Sequence, residues 1–405
     1  MLICLVKLNS NMYICLVKLN FMERIVLESL KTWSAKSRRK PLLLRGARQV
    51  GKTWLVERLA KDNFKNYLKI DFEENSDFIQ LFNGDLDPVK ICSELEIRTG
   101  IDIIDSKTLV FFDEIQACPR AIMSLRYFYE KRPLLHIIAA GSLLEFVFDE
   151  ISFPVGRIQT LEVQPMNFIE FLKANGFQKA SKECENVNFN ISESTHLFLL
   201  EQLRNYFLVG GMPECVKEYS KTKSLKSAID IQNEIIDSYI LDFNKYKPKT
   251  DIHCLNTVFY TLASRTGQQI KYAILSQDFT IPTNKKAVFS LLQARLINRV
   301  KAVSKPGIPL NIYASEKKFK SIFLDIGLMN MMMGIDYQEA FNYSSLLSIY
   351  KGQLAEQFVG QELISAGNNQ LYYWARDAKS SSAEIDFLIS KKNKLFPIEV
   401  KDGPS

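Results

Sequence analysis

Eight consecutive residues near the start of the chain have the types and spacing of a phosphate-binding loop. They follow an apolar run at residues 41–44 and match the pattern G-x-x-x-x-G-K-T. Glycines let backbone N–H groups curl around phosphates, the lysine reaches the β- and γ-phosphates, and the threonine hydroxyl ligates Mg²⁺ at a helix N-terminus. The predicted phosphate and Mg²⁺ site comprises Gly46, Ala47, Arg48, Gln49, Val50, Gly51, Lys52 and Thr53.

Two carboxylates end a second apolar run, at residues 109–112, which leads directly into Asp113 and Glu114. Such a run predicts a buried parallel strand that presents both carboxylates at its C-terminal end, where open α/β sheets bind ligands. Asp113 would hold Mg²⁺ directly or through water, and Glu114 would orient and polarise an attacking water. Alone, this pattern is more typical of a strand followed by a solvated turn. Paired with the phosphate loop, it becomes specific.

A third apolar run, at residues 134–140, contains His136 and leads to Gly141 and Ser142. Ser142 is a candidate sensor of the γ-phosphate, although an ordinary strand-terminating turn explains it equally well. His136 is interpreted as a core histidine. Further along, Arg157 is a candidate for stabilising transition-state charge, within one subunit or from a neighbouring one, and a structural role is the alternative.

The motifs, in this order and spacing, resemble the AAA-type ATPases of bacteria and archaea that carry a C-terminal domain of unknown function with nuclease-like features. The resemblance rests on LLLRGARQVGKTWLVERLA, LVFFDEIQ, IIAAGSLLEF and FPVGRIQTLEVQPMNFIEFL, and it continues to the C-terminus. It implies a P-loop domain that binds ATP with Mg²⁺ and hydrolyses it, with Lys52, Thr53, Asp113 and Glu114 at the motif positions. It implies no particular substrate.

Four residues near the C-terminus form a second candidate site. Residues 352–363 predict an amphipathic helix with Glu356, and two predicted strands carry Asp386 and then Glu399 with Lys401. Alternation places Glu399 and Lys401 on one strand face, where both can meet Asp386 from an adjacent strand. Two carboxylates can bind a divalent metal, and a lysine can stabilise or activate the water in phosphodiester cleavage.

This arrangement resembles the PD-(D/E)xK nuclease core, with Glu356, Asp386, Glu399 and Lys401 at its four motif positions. The chain ends at Ser405, four residues after Lys401. Cores of this type continue with a further helix and strand, so we expect a truncated domain. Whether it cleaves nucleic acid stays open at this point.

Basic residues concentrate in one segment. The chain carries a net charge of +7, whereas residues 252–320 alone carry eleven lysines and arginines against two acids, a net +9. This distribution favours a local surface that binds a polyanion, and a solvated basic face is the alternative. The basic residues are Arg265, Lys271, Lys285, Lys286, Arg295, Arg299, Lys301, Lys305, Lys317, Lys318 and Lys320.

The same segment has the pattern of a winged helix. Three short helices are predicted at residues 255–264, 271–277 and 283–293, and a strand pair at 296–303 and 310–314. The third helix would carry Lys285 and Lys286, and the wing Arg299, Lys301 and Lys305, which suits phosphate contacts on DNA. Winged helices also serve as protein-docking modules or as lids in ATPases.

Length and composition indicate a multidomain α/β protein. With 405 residues and 46.6 kDa, two or three domains are expected. The repeated starts MLICLVKLN and MYICLVKLN are interpreted as a local duplication. The predicted organisation is a dispensable extension at 1–21, an AAA-type ATPase domain with a parallel sheet at 22–175, a helical region at 196–250, a winged-helix-like basic domain at 251–335, and a truncated α/β nuclease-like domain at 345–405, with residues 173–195 as a polar linker.

Composition narrows the function classes. Hydrophobic residues make up 47% and charged residues 24%, as in ordinary globular proteins. Seven cysteines without a C-x-x-C pair favour a reduced, cytoplasmic protein, and three isolated histidines argue against a zinc site. No apolar run reaches the roughly 18 residues of a membrane span. The ATPase-like motifs are compatible with a homo-oligomer.

Three hypotheses follow. The leading one is a cytoplasmic ATPase that couples ATP hydrolysis to a C-terminal half that faces nucleic acid, with a candidate metal-dependent nuclease module. The alternative is a nucleotide-controlled switch or scaffold that binds a protein partner and contains an inactive nuclease-like domain. A third is a decayed gene product that retains its ATP site.

Overall fold

The computed structural model describes residues 24–148, 153–185, 191–246, 250–334, 346–375 and 383–401. The chain divides into two compact units, which are described separately here. The N-terminal unit comprises the described residues up to 164, and the C-terminal unit those from 165 onward. The expected N-terminal extension at 1–21 and the last four residues lie outside the described part of the chain.

A five-stranded parallel sheet forms the centre of the N-terminal unit. Its strand order is β2-β3-β4-β1-β5, and every neighbouring pair is parallel. Strands β3 and β4 are buried along their whole length and apolar in their central residues, as expected for a parallel sheet covered by helices. The strands are β1 (Leu42–Arg45), β2 (Asn66–Asp71), β3 (Thr108–Asp113), β4 (His136–Gly141) and β5 (Gln159–Glu162). The helices are α1 (Ile25–Ser34), α2 (Lys52–Asn63), α3 (Pro88–Thr99), α4 (Pro119–Lys131) and α5 (Glu145–Phe148). The predicted α/β sheet domain is thereby confirmed.

The C-terminal unit combines helices with a mixed sheet. Its strand order is β10-β9-β8-β6-β7, with β6 and β8 parallel and the other neighbours antiparallel. The helices are α6 (Phe168–Ala174), α7 (Gln178–Glu185), α8 (Glu193–Val209), α9 (Pro213–Thr222), α10 (Leu225–Asp242), α11 (Ile252–Ser264), α12 (Ile281–Gln293), α13 (Ile326–Met332) and α14 (Leu346–Ser365). The strands are β6 (Ile297–Val303), β7 (Ala314–Phe323), β8 (Leu371–Ala375), β9 (Glu384–Lys391) and β10 (Lys394–Ile398).

A buried aspartate joins two distant turns of this unit. Asp325 caps α13 by accepting hydrogen bonds from the backbone N–H groups of Gly327 and Leu328, and it also accepts one from Gly211 N at 2.6 Å. Gly210 packs so closely that a Cβ atom there would lie 2.0 Å from Asp325 Oδ1. The turn between α8 and α9 therefore requires glycine.

Polar side chains of α14 complete this network. Gln357 bonds both backbone groups of Phe323, and Glu362 accepts a hydrogen bond from Phe168 N at 3.0 Å. Complete burial raises the pKa of Glu362 to about 8. These contacts fasten α14 to β7 and to the start of α6.

The region predicted as a polar linker contains a helix. Helix α7 lies within residues 173–195, and Lys173 Nζ is 3.3 Å from Glu185 Oε1. The helix buries Ser181 and Cys184, so small side chains on one face anchor a segment whose composition is otherwise polar. Residues 186–190 lie outside the described part.

The winged-helix expectation requires correction. Helices α11 and α12 agree with it, but the expected helix at 271–277 is a single 3₁₀ turn at Tyr272–Ile274. The expected strand at 310–314 is largely the 3₁₀ turn Leu310–Tyr313, and the strand that pairs with β6 is β7. Strand β6 also pairs with β8, so the hairpin forms one side of the five-stranded sheet and is not a free wing. Among the described residues, none of the helices has the length and apolar character needed to cross a membrane.

Candidate functional site

The phosphate loop lies at the carboxyl edge of the parallel sheet. It connects the end of β1 to the start of α2. Because β1, β4 and β3 are parallel neighbours, the residues that follow each strand meet at one edge. The edge therefore collects the loop, Asp113 and the segment that begins at Ser142, as the motif order predicts.

Two loop positions depend on glycine. A Cβ atom on Gly46 would lie 2.3 Å from the Val163 carbonyl oxygen. Gly51, at the N-cap of α2, has φ 89°, a left-handed conformation that other residues rarely adopt. Gln49 also has a positive φ of 65°. The loop thus turns tightly into the N-terminus of α2, the arrangement that binds phosphate oxygens through backbone N–H groups.

Lys52 and Thr53 occupy the first turn of α2. The buried Lys52 Nζ donates hydrogen bonds to the carbonyl oxygens of Gly46 at 3.1 Å and Ala47 at 2.8 Å. The Thr53 hydroxyl donates to Asp113 Oδ2 at 2.8 Å. A hydroxyl and a carboxylate side by side are suitable ligands for Mg²⁺, which takes its remaining oxygens from water and phosphates. The residues present therefore fit an Mg²⁺–nucleotide.

Glu114 is held beside Asp113 in an unusual backbone conformation. Its φ is 45°, its N–H group donates to Asp113 Oδ1, and its Oε2 accepts a hydrogen bond from Gln116 Nε2 at 2.6 Å. Burial raises the pKa of the Glu114 carboxyl, while Gln116 and the charge of Lys52 oppose the rise. A carboxylate with a raised pKa close to the phosphate loop is suited to accept a proton from water.

Four polar residues at this edge were missed by the sequence analysis. Gln116 restrains Glu114, and Lys69 Nζ lies 3.4 Å from Asp113 Oδ2. Arg45 and Glu145 form an ion pair at 2.6 Å. In β2, buried Leu68 and Ile70 alternate with polar neighbours, and this alternation was the sequence signal available for Lys69. It indicates a role for Lys69 only once β2 is known to lie beside β3.

Ser142 lies at the carboxyl edge of the sheet, where the parallel strands end, and Arg157 lies at the opposite edge, where the strands begin. Arg45 pairs with Gly141 at the ends of β1 and β4, and Gly46 and the buried Ser142 are the residues that follow these two. Arg157 instead precedes β5, whose first residue pairs with the first residue of β1, and its Nε donates to Glu130 Oε1 at 3.0 Å. The structure brings Ser142 to the phosphate loop and does not bring Arg157 there.

Helix α12 presents two exposed lysines of the basic segment. Lys285 and Lys286 project from α12 into solvent, next to the exposed side chains of Ile281 and Phe289. On the strands, Arg299 and Lys301 both pair with Glu316. The hydrogen bond from Lys301 lowers the pKa of Glu316. Part of the positive charge expected on the wing is therefore neutralised within the hairpin.

Lys320 was counted with this surface, and that assignment is wrong. The side chain is buried, and its ammonium group lies among three carboxylates, at 2.7 Å from Glu356, 2.5 Å from Glu384 and 3.4 Å from Asp386. Burial alone would lower the pKa of Lys320, but the carboxylates outweigh it and raise the pKa. Burial also raises the pKa of Glu356 to about 7, although Lys320 opposes that rise.

The four nuclease-like residues are only partly brought together. Glu356 and Asp386 meet at Lys320, whereas exposed Lys401 pairs with exposed Glu399 at 3.2 Å. Asp386 Oδ2 accepts a hydrogen bond from Val400 N at 2.9 Å, which holds Val400 beside β9. In the described stretches, no three His, Cys, Asp or Glu side chains are arranged to hold a metal ion.

Comparison with protein families identifies three matched segments. Residues 38–172 match a model described as an AAA domain. Residues 200–339 and 351–405 match models described as domains of unknown function, DUF8612 and DUF4143. Strands β6 and β7 belong to the segment that matches DUF8612, and β8–β10 belong to the segment that matches DUF4143. One sheet is therefore built from both segments.

Three solved structures that are similar to this chain have low identity and low TM-scores. A Walker-type ATPase of Pyrococcus abyssi is 16% identical with a TM-score of 0.46, over 76% of this chain and 94% of that one. The Holliday junction branch migration motor RuvB of Thermotoga maritima is 16% identical with a TM-score of 0.30, over 68% and 86%. Drosophila ORC bound to DNA is 14% identical with a TM-score of 0.28, over 76% and 94%. No curated protein matches the chain.

The family match covers the segment that contains the phosphate loop, Asp113, Glu114 and Ser142. The same segment holds the parallel sheet at whose carboxyl edge these residues meet. Residues 38–172 of this chain are therefore an AAA-type P-loop ATPase-like domain.

Proposed function

We propose that this chain binds and hydrolyses ATP with Mg²⁺. The observation that carries the proposal is the 2.8 Å hydrogen bond between Thr53 and Asp113, made beside the Lys52 ammonium group. Three motif residues, two from the start of α2 and one from the end of β3, converge there. Phosphoryl transfer requires this kind of positioning and charge stabilisation more than covalent chemistry from the protein.

Each residue has a distinct role in this mechanism. Lys52 exchanges its hydrogen bonds to the loop carbonyls for contacts with the β- and γ-phosphates, and backbone N–H groups of the loop hold the phosphate oxygens. Thr53 and Asp113 hold Mg²⁺, which supplies charge neutralisation when bound. Glu114 orients water and takes its proton, and Ser142 contacts the γ-phosphate.

Gln116 holds the Glu114 carboxyl group through Oε2 at 2.6 Å. In this scheme the second oxygen, Oε1, accepts the proton from water. Arg157 lies at the opposite sheet edge, so a role in turnover requires delivery from a neighbouring subunit of a homo-oligomer. The described cysteines are free and buried, which suits the reducing cytoplasm.

We further propose that ATP turnover is coupled to nucleic acid bound by the basic segment. Exposed Lys285 and Lys286 on α12 are the leading phosphate contacts, with Lys305 beyond the end of β6. A protein partner is the second candidate, because exposed Ile281 and Phe289 lie on the same helix. We propose binding without cleavage by the C-terminal unit, because Glu399 and Lys401 pair with each other at the surface.

The test is ATP turnover by the purified full chain with Mg²⁺, with and without double-stranded DNA, while the DNA is followed on a gel. We expect turnover that rises with DNA and falls at least 100-fold in Lys52→Ala. Lys61→Ala, which removes an exposed lysine from the other end of α2, is the matched control. Equal turnover in Lys52→Ala would contradict the ATP site.

Turnover that responds to a protein but not to DNA would favour the second candidate. Nicking of DNA that is lost in Asp386→Ala would contradict the proposal of binding without cleavage.

A further inference from the structure

We propose that Lys320 is the resident cation of the carboxylate cluster formed by Glu356, Glu384 and Asp386. The ammonium group occupies the space between the carboxylate oxygens that a divalent metal would need. The cluster accepts a divalent ion only when Lys320 is removed. This inference concerns the C-terminal unit alone and does not depend on ATP hydrolysis.

The first argument is the position of the ammonium group. Lys320 lies on β7, Glu356 on α14, and Glu384 and Asp386 on β9, so residues distant in sequence converge on one nitrogen. The three N–O distances are 2.7, 2.5 and 3.4 Å. A divalent cation needs oxygens at about 2.0–2.6 Å, and the same carboxylate oxygens would have to supply them. The space between these oxygens is already taken by Nζ.

The buried charge of Lys320 also opposes a metal ion at the cluster. The Lys320 side chain is only 4% exposed, so its charge is poorly screened by water. A divalent ion bound to the same carboxylates would place two positive groups side by side in a buried site, where like charges repel strongly. The Lys320 ammonium group is thus the cation around which the three carboxylates are arranged.

The third argument is that neighbouring groups hold this arrangement in place. The Tyr373 ring lies 5.3 Å from Nζ, at a cation–π distance. Asp386 uses its second oxygen to accept the hydrogen bond from Val400. Gly267, with φ 77°, approaches Glu356 so closely that a Cβ atom there would lie 2.8 Å from Oε2. The loop before the 3₁₀ turn therefore closes one side of the cluster.

Glu384 marks the side that faces solvent. Its side chain is 42% exposed, whereas those of Glu356 and Asp386 are 10% and 19% exposed. A metal ion can therefore reach the cluster from solvent once the ammonium group is removed. The same cation ties β7 to α14 and β9, which gives Lys320 a structural function in place of catalysis.

The experiment compares Mn²⁺ binding by the nucleotide-free full chain in four forms, using isothermal titration calorimetry. Lys320→Met keeps the length of the side chain and removes its charge, and Lys320→Met combined with Asp386→Asn removes one carboxylate as well. Lys317→Met replaces an exposed lysine on the same strand and is the matched control. The fourth form is the unchanged chain.

We expect Lys320→Met to gain one Mn²⁺ site at least tenfold tighter than any site of the unchanged chain or of Lys317→Met. Addition of Asp386→Asn should abolish that gain. A folded Lys320→Met protein without the new site would overturn the proposal.

A second comparison keeps the proposal testable if Lys320→Met does not fold. Asp386→Asn alone keeps a carbonyl oxygen that can accept the hydrogen bond from Val400 N. Under the proposal, Mn²⁺ binding by the unchanged chain is the same with and without Asp386→Asn. Loss of a wild-type Mn²⁺ site in Asp386→Asn would show that the cluster binds metal with Lys320 in place, contrary to the proposal.

Discussion

The phosphate site and the carboxylate cluster differ in how their charges are assembled. In the phosphate site, Lys52 and Thr53 are adjacent in sequence, and Asp113 and Glu114 follow one strand. In the carboxylate cluster, Lys320, Glu356 and Asp386 come from three elements, and the lysine lies outside any recognised motif. Local motifs therefore identify a site whose parts are presented by regular strand ends. A site whose residues come from several elements around a mixed sheet contains residues that no local sequence pattern indicates.

The two regions also differ in what their lysines do. Lys52 donates hydrogen bonds to backbone carbonyl oxygens of the loop, which phosphate oxygens can replace. Lys320 forms ion pairs with carboxylates that belong to the folded C-terminal unit. The first lysine is available to a ligand, whereas the second completes the folded structure.

The sharpest test of the phosphate site is Glu114→Gln. A glutamine keeps the size of the side chain and cannot take a proton from water, so turnover should fall about 10²–10⁴-fold. ATP binding should stay within a few-fold of wild type because Lys52 and Thr53 are unchanged. Single-turnover hydrolysis and equilibrium binding of a labelled nucleotide separate the two quantities. Rapid turnover in Glu114→Gln would assign the proton transfer to another group.

A smaller effect is expected at the exposed basic helix. Changing Lys285 and Lys286 together to glutamate should weaken DNA binding about tenfold or more and lower the slope of log affinity against log salt by about 2. Fluorescence anisotropy with labelled duplex DNA, over a series of salt concentrations, measures both. Lys391 and Lys392, exposed at the end of β9, offer a paired control of equal charge change. An unchanged salt slope would move the contact surface away from α12.

The smallest expected effect concerns Glu362, a buried polar residue of the C-terminal unit. Its folded-state pKa is raised to about 8 from an ordinary value of 4.5. The folded state therefore holds the proton more tightly, and the free energy of unfolding should fall as pH rises from about 4.5 to 8, by about 1–3 kcal/mol. Glu362→Gln keeps an acceptor for Phe168 N and should flatten this dependence. Urea unfolding at pH 5 and pH 8 measures it, and equal pH dependence in both proteins would contradict the assignment.

Much of the N-terminal unit could be predicted from sequence because its signals are local. Apolar runs end in polar motifs, and parallel strands bring those ends to one edge, so the meeting of the loop with Asp113 follows from the pattern. Lys69 and Gln116 were missed because their roles depend on strand order and on the turn at Glu114. The edge on which Arg157 lies depends on the register of β5 against β1.

Prediction was weaker in the C-terminal unit, where the contacts are long-range. The charged residues 316–318 did not indicate a strand that continues to Phe323. The polar composition of residues 173–195 did not indicate helix α7. Local propensity cannot indicate that β6 pairs with β8, which lies almost seventy residues later in the chain.

The sequence by itself determined the phosphate loop, the Asp113–Glu114 strand end and the α/β character of the first unit, because each is a short-range pattern with one favourable geometry. Only the tertiary structure decided which charges are exposed and which are buried. Lys285 and Lys320 are the same residue type in one basic segment, yet one projects from a helix and the other lies among carboxylates. The difference arises because burial of a charge depends on partners supplied by distant strands, and those partners exist only in the folded chain.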